Sequence, residues 1–101
     1  MNILIADDHA IVRQGLKALI EKEPGMEVIG EAENGEQAVT LAKELAPDIV
    51  IMDMTMPLLN GIEATKYILR ENPNVRIISL SMHSNSHIVR KALKCSSQYL
   101  I

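Results

Sequence analysis

Apolar positions along the chain follow two alternating rhythms: short runs of strand length, and longer stretches in which they recur every three or four residues. Asn2 to Ala6 predicts a first strand, and Ala10 to Lys22 then places Ile11, Val12, Leu16, Leu19 and Ile20 at helical intervals. Asp8 or His9 stands where a residue would cap that helix, and Pro24-Gly25 ends it. Glu27 to Ala32 alternates, with Val28, Gly30 and Ala32 on one side, as a half-exposed edge strand does. Asn34-Gly35 marks the next turn, and Glu36 to Leu45 carries Ala38, Leu41, Ala42 and Leu45 along one helical face until Pro47. Within the strand that follows, Asp48 to Asp53, four consecutive apolar residues predict burial on both sides.

Pro57 and Gly61 then lead into a helix over Ile62 to Arg70, whose apolar surface comes from Ile62, Tyr67, Ile68 and Leu69, and Asn72-Pro73-Asn74 closes it. Val75 to Leu80 predicts a fourth strand and Ser84 to Lys94 a weaker helix with Ile88, Val89, Ala92 and Leu93. Tyr99-Leu100-Ile101 reads as the start of a fifth strand. Repeated βα units joined by short loops imply right-handed crossovers and an α/β fold, a parallel sheet with helices on both faces.

Composition narrows the function classes. A chain of 101 residues, 48% of them hydrophobic, is one small domain that buries about 65% of its extended surface, enough for a core without staples. Ten basic against thirteen acidic side chains, with no Lys/Arg cluster, argue against a nucleic-acid surface, which needs grouped positive charge. Two tyrosines are the only aromatics, so base-stacking platforms are missing too. DNA binding is expected only through another domain. No apolar run approaches the ~20 residues of a membrane span, and Met1-Asn2-Ile3-Leu4-Ile5 runs straight into acids, as a first strand does and a leader does not. The single Cys95 offers no internal disulfide and fits a reducing, cytoplasmic setting.

In an open parallel sheet, ligands sit beyond the carboxyl ends of the strands. There the first strand finishes in Asp7-Asp8, the third in Asp53 and the fourth in Ser81. If these strands are neighbours, three carboxylates and a hydroxyl converge on one edge. Two carboxylates about 5 Å apart repel by about 3 kcal/mol at an effective dielectric near 20. Helix capping gives no reason to stack such charge, so the cluster calls for a cation. Oxygen donors of this kind suit Mg²⁺.

These segments together resemble the receiver domain of two-component response regulators, over nearly the whole chain. Ile3-Leu4-Ile5-Ala6-Asp7-Asp8-His9 is similar to the family's acidic-pair strand, and Val12-Arg13-Gln14-Gly15-Leu16 to the NarL/LuxR-type subfamily whose output domain is a DNA-binding helix-turn-helix. Asp53-Met54-Thr55-Met56-Pro57, with Gly61 eight residues after Asp53, resembles the phosphoacceptor strand and loop, the most specific of the matches. Ile77-Ile78-Ser79-Leu80-Ser81 resembles the strand bearing the switch hydroxyl, and Tyr99 the switch aromatic. The resemblance implies a flavodoxin-like doubly wound sheet in the order 2-1-3-4-5. It makes Asp53 the acceptor of a phosphoryl group from a sensor histidine kinase or a small acyl phosphate. Asp8, Asp53 and the Thr55 main-chain carbonyl would hold Mg²⁺, Asp7 would reach it through water, Ser81 would hydrogen-bond the phosphoryl group, and Tyr99 would follow that hydroxyl inward. The protein implied is a regulatory phosphoacceptor that takes part in its own phosphorylation and dephosphorylation, not an enzyme in the ordinary sense. It would switch an output domain absent from this chain.

Three departures qualify that resemblance. The family's strand-five lysine and fifth helix would lie beyond Ile101, so residues 1–101 are expected to be a receiver domain incomplete at its carboxyl end, impaired in phosphate transfer and retention. Cys95-Ser96-Ser97-Gln98 replaces the family's glycine-containing turn, and the spacing from Ser81 to Tyr99 is about one residue short. Without the last helix, the outer faces of strands one, three and five are expected to be partly bare, favouring a homodimer or exchanged oligomer. A receiver-like docking or dimerisation module that does not signal by phosphate is therefore the alternative. A phosphatase of the aspartate-nucleophile class would need a second aspartate where Thr55 stands, and a flavin module would meet repulsion at the acids. His83 and His87 lack a third ligand, Met52, Met54 and Met56 suffice as core and loop filling, Cys95 reads as an inert thiol, and His9 reads as a helix-start residue rather than a tuner of the acids.

Overall fold

The computed structural model describes residues 1–54 and 56–80, and the backbone of 99–100. Its elements are β1 (Asn2–Ala6), α1 (Ala10–Ile20), β2 (Glu27–Ala32), α2 (Gly35–Leu45), β3 (Ile49–Asp53), α3 (Gly61–Glu71), β4 (Arg76–Leu80) and β5 (Tyr99–Leu100). The strands form one parallel sheet in the order β2-β1-β3-β4-β5. This is the flavodoxin-like doubly wound arrangement, in which the order reverses between β1 and β3. The predicted helix over 84–94 lies outside the described residues, with His83, His87 and Cys95.

Alternation along the central strands sorts side chains onto two cores. Leu4, Ala6, Val50, Met52 and Ile77 face α2 and α3, where Ala38, Ala42, Ala64 and Ile68 meet them. Ile3, Ile5, Ile49, Ile51, Ile78 and Leu80 face the other way and cluster with Leu16 and Ile20 of α1. All five residues of β3 are buried, as its unbroken apolar run requires. The small alanines of α2 and α3 let both helices lie close to the sheet and to each other, while the bulkier Leu16 and Ile20 fill the α1 side.

Helix ends follow local chemistry. Asn34 and Asn60 cap α2 and α3, each accepting from the amide three residues on, at 2.8 and 2.9 Å. Both bonds satisfy amides that a helix start leaves without a partner. Ala46 closes α2 in the left-handed region, at φ 47°, and its amide donates to the Ala42 carbonyl.

Several expectations are corrected here. Val28, Gly30 and Ala32 do not share a face: Ile3 pairs with Val28 but Leu4 with Gly30, so Ile29 is an extra residue in the edge strand. The bulge flips the alternation. Val28 packs with the α1-side core, and Ala32 belongs to the other. α1 stops at Ile20, two residues early, in a turn that precedes Pro24. Ile11 is 83% exposed and Val12 40%, so the apolar stripe of α1 is only Leu16, Leu19 and Ile20. Asp48 lies before β3 rather than in it. The faces of β1 and β3 expected to be partly bare are covered: Ile3, Ile5, Ile49 and Ile51 are at most 1% exposed. They are packed in the cluster that α1 shares with β4; the side chains of the fifth strand, which belong to the same expected patch, lie outside the described residues.

Candidate functional site

The register sets the acids side by side. Ala6 pairs with Met52, so the next step along both strands brings Asp7 beside Asp53 at the carboxyl end of the sheet. Both are buried, at 4% and 7% exposure. Asp8, in the turn after β1, keeps 31% of its side chain exposed. Ligand atoms of Asp7, Asp8, His9 and Asp53 all lie within 4.8 Å of one another. Asp53 also sits against Leu80 in the β3–β4 ladder. Ser81 and Thr55 lie outside the described residues. Tyr99 is placed only by its backbone, paired with Ile78 in β5.

His9 belongs to this cluster as well as to the start of α1. It occupies the cap position but makes no side-chain capping bond, because its ring turns toward the acids instead. Asp7 Oδ1 accepts from the His9 amide at 2.8 Å and lies 2.9 Å from Nδ1, with Asp8 Oδ1 at 3.1 Å. The hydrogen bond to Asp7, followed by the charges of Asp8, Asp7 and Asp53, raises the His9 pKa above its ordinary 6.5. His9, expected to serve only the helix start, is thus a partner of the acids as well. An imidazole two residues from an acid gives no sign of which way it points until the turn is folded.

The loop after β3 is held by two glycines. Asn60 starts α3, and the Gly61 amide donates to the Met54 carbonyl at 3.2 Å. A Cβ on Gly61 would run into the Asp53 carbonyl oxygen and the Met54 backbone. The eight-residue step from Asp53 to Gly61 is thus a steric requirement of the site. A Cβ on Gly35, at the start of α2, would run into the Leu59 carbonyl, so α2 braces the same loop from its other side. That second contact joins segments 24 residues apart, and no local pattern announces it.

Chemically, two buried carboxylates and a third at the rim make a hard-oxygen donor set, open where Asp8 meets solvent. Repulsion inside it is about 3 kcal/mol per pair at an effective dielectric of 20. A divalent ion that favours oxygen ligands relieves that repulsion, and the residues present fit one.

Comparison with known proteins agrees with this fold. The response regulator receiver domain family matches residues 3–101. The transcriptional regulatory protein YdfI of Bacillus subtilis is 45% identical over 100 residues, covering 98% of this chain and 46% of that protein. A LuxR-family two-component response regulator from Aurantimonas superposes with a TM-score of 0.80 at 40% identity, over 98% of this chain and 71% of the other. A CheX-CheY complex with BeF3 and Mg²⁺ from Borrelia burgdorferi gives a TM-score of 0.81 at 30% identity, over 100% of this chain and 77% of the matched chain. The chain belongs to the response regulator receiver domain family, a regulatory rather than a classical enzyme family. Its relatives include a transcriptional regulatory protein and a LuxR-family response regulator. It spans less than half the length of the curated relatives it matches. Among the described residues, no helix is long and apolar enough to cross a membrane.

Proposed function

We propose that residues 1–101 form a phosphoacceptor unit that takes a phosphoryl group on Asp53, with Mg²⁺ held between Asp8, Asp53 and the Thr55 main-chain carbonyl and reached by Asp7 through water. The convergence of Asp53 with Asp7 and Asp8 carries this reading. An Asp53 carboxylate oxygen attacks phosphorus, a P–O bond forms, and the bond from phosphorus to the donor breaks. The electron pair leaves with the donor, a carboxylate from an acyl phosphate or an imidazole from a kinase phosphohistidine. Bound Mg²⁺ supplies charge neutralisation at the oxygens of the transferring group. The acids themselves fix the geometry: burial of Asp53 limits its rotamers, and the Gly61 contact fixes its backbone. Asp8 stands at the solvent rim, where a donor enters.

Ser81 would then donate to the new phosphoryl oxygen and Tyr99 move into the space it leaves, reshaping the surface expected of the fourth helix and the fifth strand. The partners that follow are a sensor histidine kinase or a small acyl phosphate in the cytoplasm, and DNA only through an output domain of the kind the regulator relatives imply. In this scheme the unit takes part in its own phosphorylation and dephosphorylation.

Acetyl phosphate and Mg²⁺ followed by intact-mass analysis test the proposal. Wild-type protein is expected to gain one phosphoryl unit and Asp53→Ala none. Equal gain in both removes Asp53 from the role, and no gain in either points to a docking module that does not use phosphate.

A further inference from the structure

Arg13 of α1 is absorbed by none of the roles above, yet its side chain is only 12% exposed and reaches back to the acidic edge. Its Nη1 donates to the Asp7 main-chain carbonyl at 2.7 Å. Nε lies 3.3 Å from Glu31 Oε1 on β2, and Nη2 lies 3.8 Å from Glu33 Oε1. The Asp7 amide donates to Ala32 of β2 at 3.0 Å. In a regular parallel ladder the Asp7 carbonyl would next accept from an amide further along β2, but β2 ends at Ala32. The guanidinium takes the place of that missing donor.

We propose that Arg13 is a positioning residue for the metal site: its planar fork extends the β1–β2 ladder by one step, anchors the Asp7 main chain, and thereby fixes where the Asp7 and Asp8 carboxylates meet Asp53. This rests on the metal reading given above. Two features separate positioning from a simple charge effect. A cation beside a cation site opposes metal binding by Coulomb's law, so deleting it should tighten Mg²⁺ if charge were all. Lysine at this position keeps the charge but replaces the planar, two-pronged guanidinium by a single point donor, so the geometry that holds the Asp7 carbonyl and Glu31 together is lost.

The experiment compares wild type, Arg13→Lys and Arg13→Gln by amide NMR well below their melting temperatures. Mg²⁺ titration is followed at Asp7, Asp8 and Asp53, and hydrogen exchange is measured in metal-free protein. Both variants are expected to bind Mg²⁺ about tenfold more weakly, the lower end of the usual loss when an outer-shell partner is removed. The Asp7 and His9 amides should lose protection while Val50 and Ile51 keep theirs. Tighter binding by Arg13→Gln, or wild-type binding by Arg13→Lys, overturns the proposal. Should Arg13→Gln not fold, Arg13→Lys decides alone. If wild-type protein shows no Mg²⁺-dependent shift, the metal reading falls. The exchange data then still judge the anchor, which is refuted by unchanged protection of Asp7 and His9.

Discussion

At the amino-terminal edge of the sheet Asp48 works as a hinge pin between strands, whereas at the carboxyl edge Asp7, Asp8 and Asp53 crowd together. Asp48 is exposed, and its carboxylate accepts from the Asn2 amide at 2.7 Å. Its own amide donates to Asn2 at 2.8 Å and its carbonyl accepts from Arg76 at 3.0 Å, so β1, β3 and β4 are tied at their starts. The acids at the other edge are mostly buried and held by a turn, a histidine and an arginine. Parallel strands explain the contrast. Every strand end on one side meets the same surroundings, so residues serving chemistry gather on one edge and those serving the ladder on the other.

The largest way to break the comparison is Gly61→Ala. A methyl there meets backbone rather than a yielding side chain, so the loop must move, at a cost of about 3 kcal/mol in denaturant unfolding. Phosphoryl uptake by Asp53 should fall with it. An alanine at each edge then tests the asymmetry directly. Asp48→Ala should destabilise by about 1 kcal/mol, since it removes an acceptor that closes the ladder, and leave Mg²⁺ binding unchanged. Asp8→Ala, measured without metal and above the His9 titration, should stabilise by up to about 1 kcal/mol because one member of a repelling cluster is gone. It should also abolish Mg²⁺ binding. Equal signs for the two would refute the contrast.

The smallest effect belongs to His9. Its folded pKa is raised, so the contact with Asp7 contributes stability below the unfolded histidine pKa and loses it as pH rises through the folded one. An NMR titration of the ring should find a pKa above 6.5. Asp7→Asn should lower it, and saturating Mg²⁺ should lower it too, since two cations compete for the same oxygens. A ring pKa that responds to neither would separate His9 from the acids.

Much of this was legible in the residue order. The strand of Ile49 to Asp53 and the acids at strand ends are local patterns, marked by hydrophobic period and by side-chain chemistry; the capping bonds of Asn34 and Asn60 were seen only in the structure. The bulge at Ile29 was not legible, because nothing in Glu27 to Ala32 says which neighbour it pairs with or in what register. Nor was the exposure of Ile11, which periodicity groups with the buried stripe of α1. The orientation of His9 and the reach of Arg13 to a carbonyl six residues back both depend on how α1 leaves the sheet.

By itself the sequence determined the alternation of strands and helices and supplied the acids, since hydrophobic period and side-chain chemistry are properties of neighbouring residues. Only the tertiary structure decided that β1 lies beside β3, that Gly61 and Gly35 clamp the loop between them, and that the Arg13 guanidinium reaches the Asp7 carbonyl. Such contacts join residues far apart along the chain, and their geometry exists only once the sheet has formed.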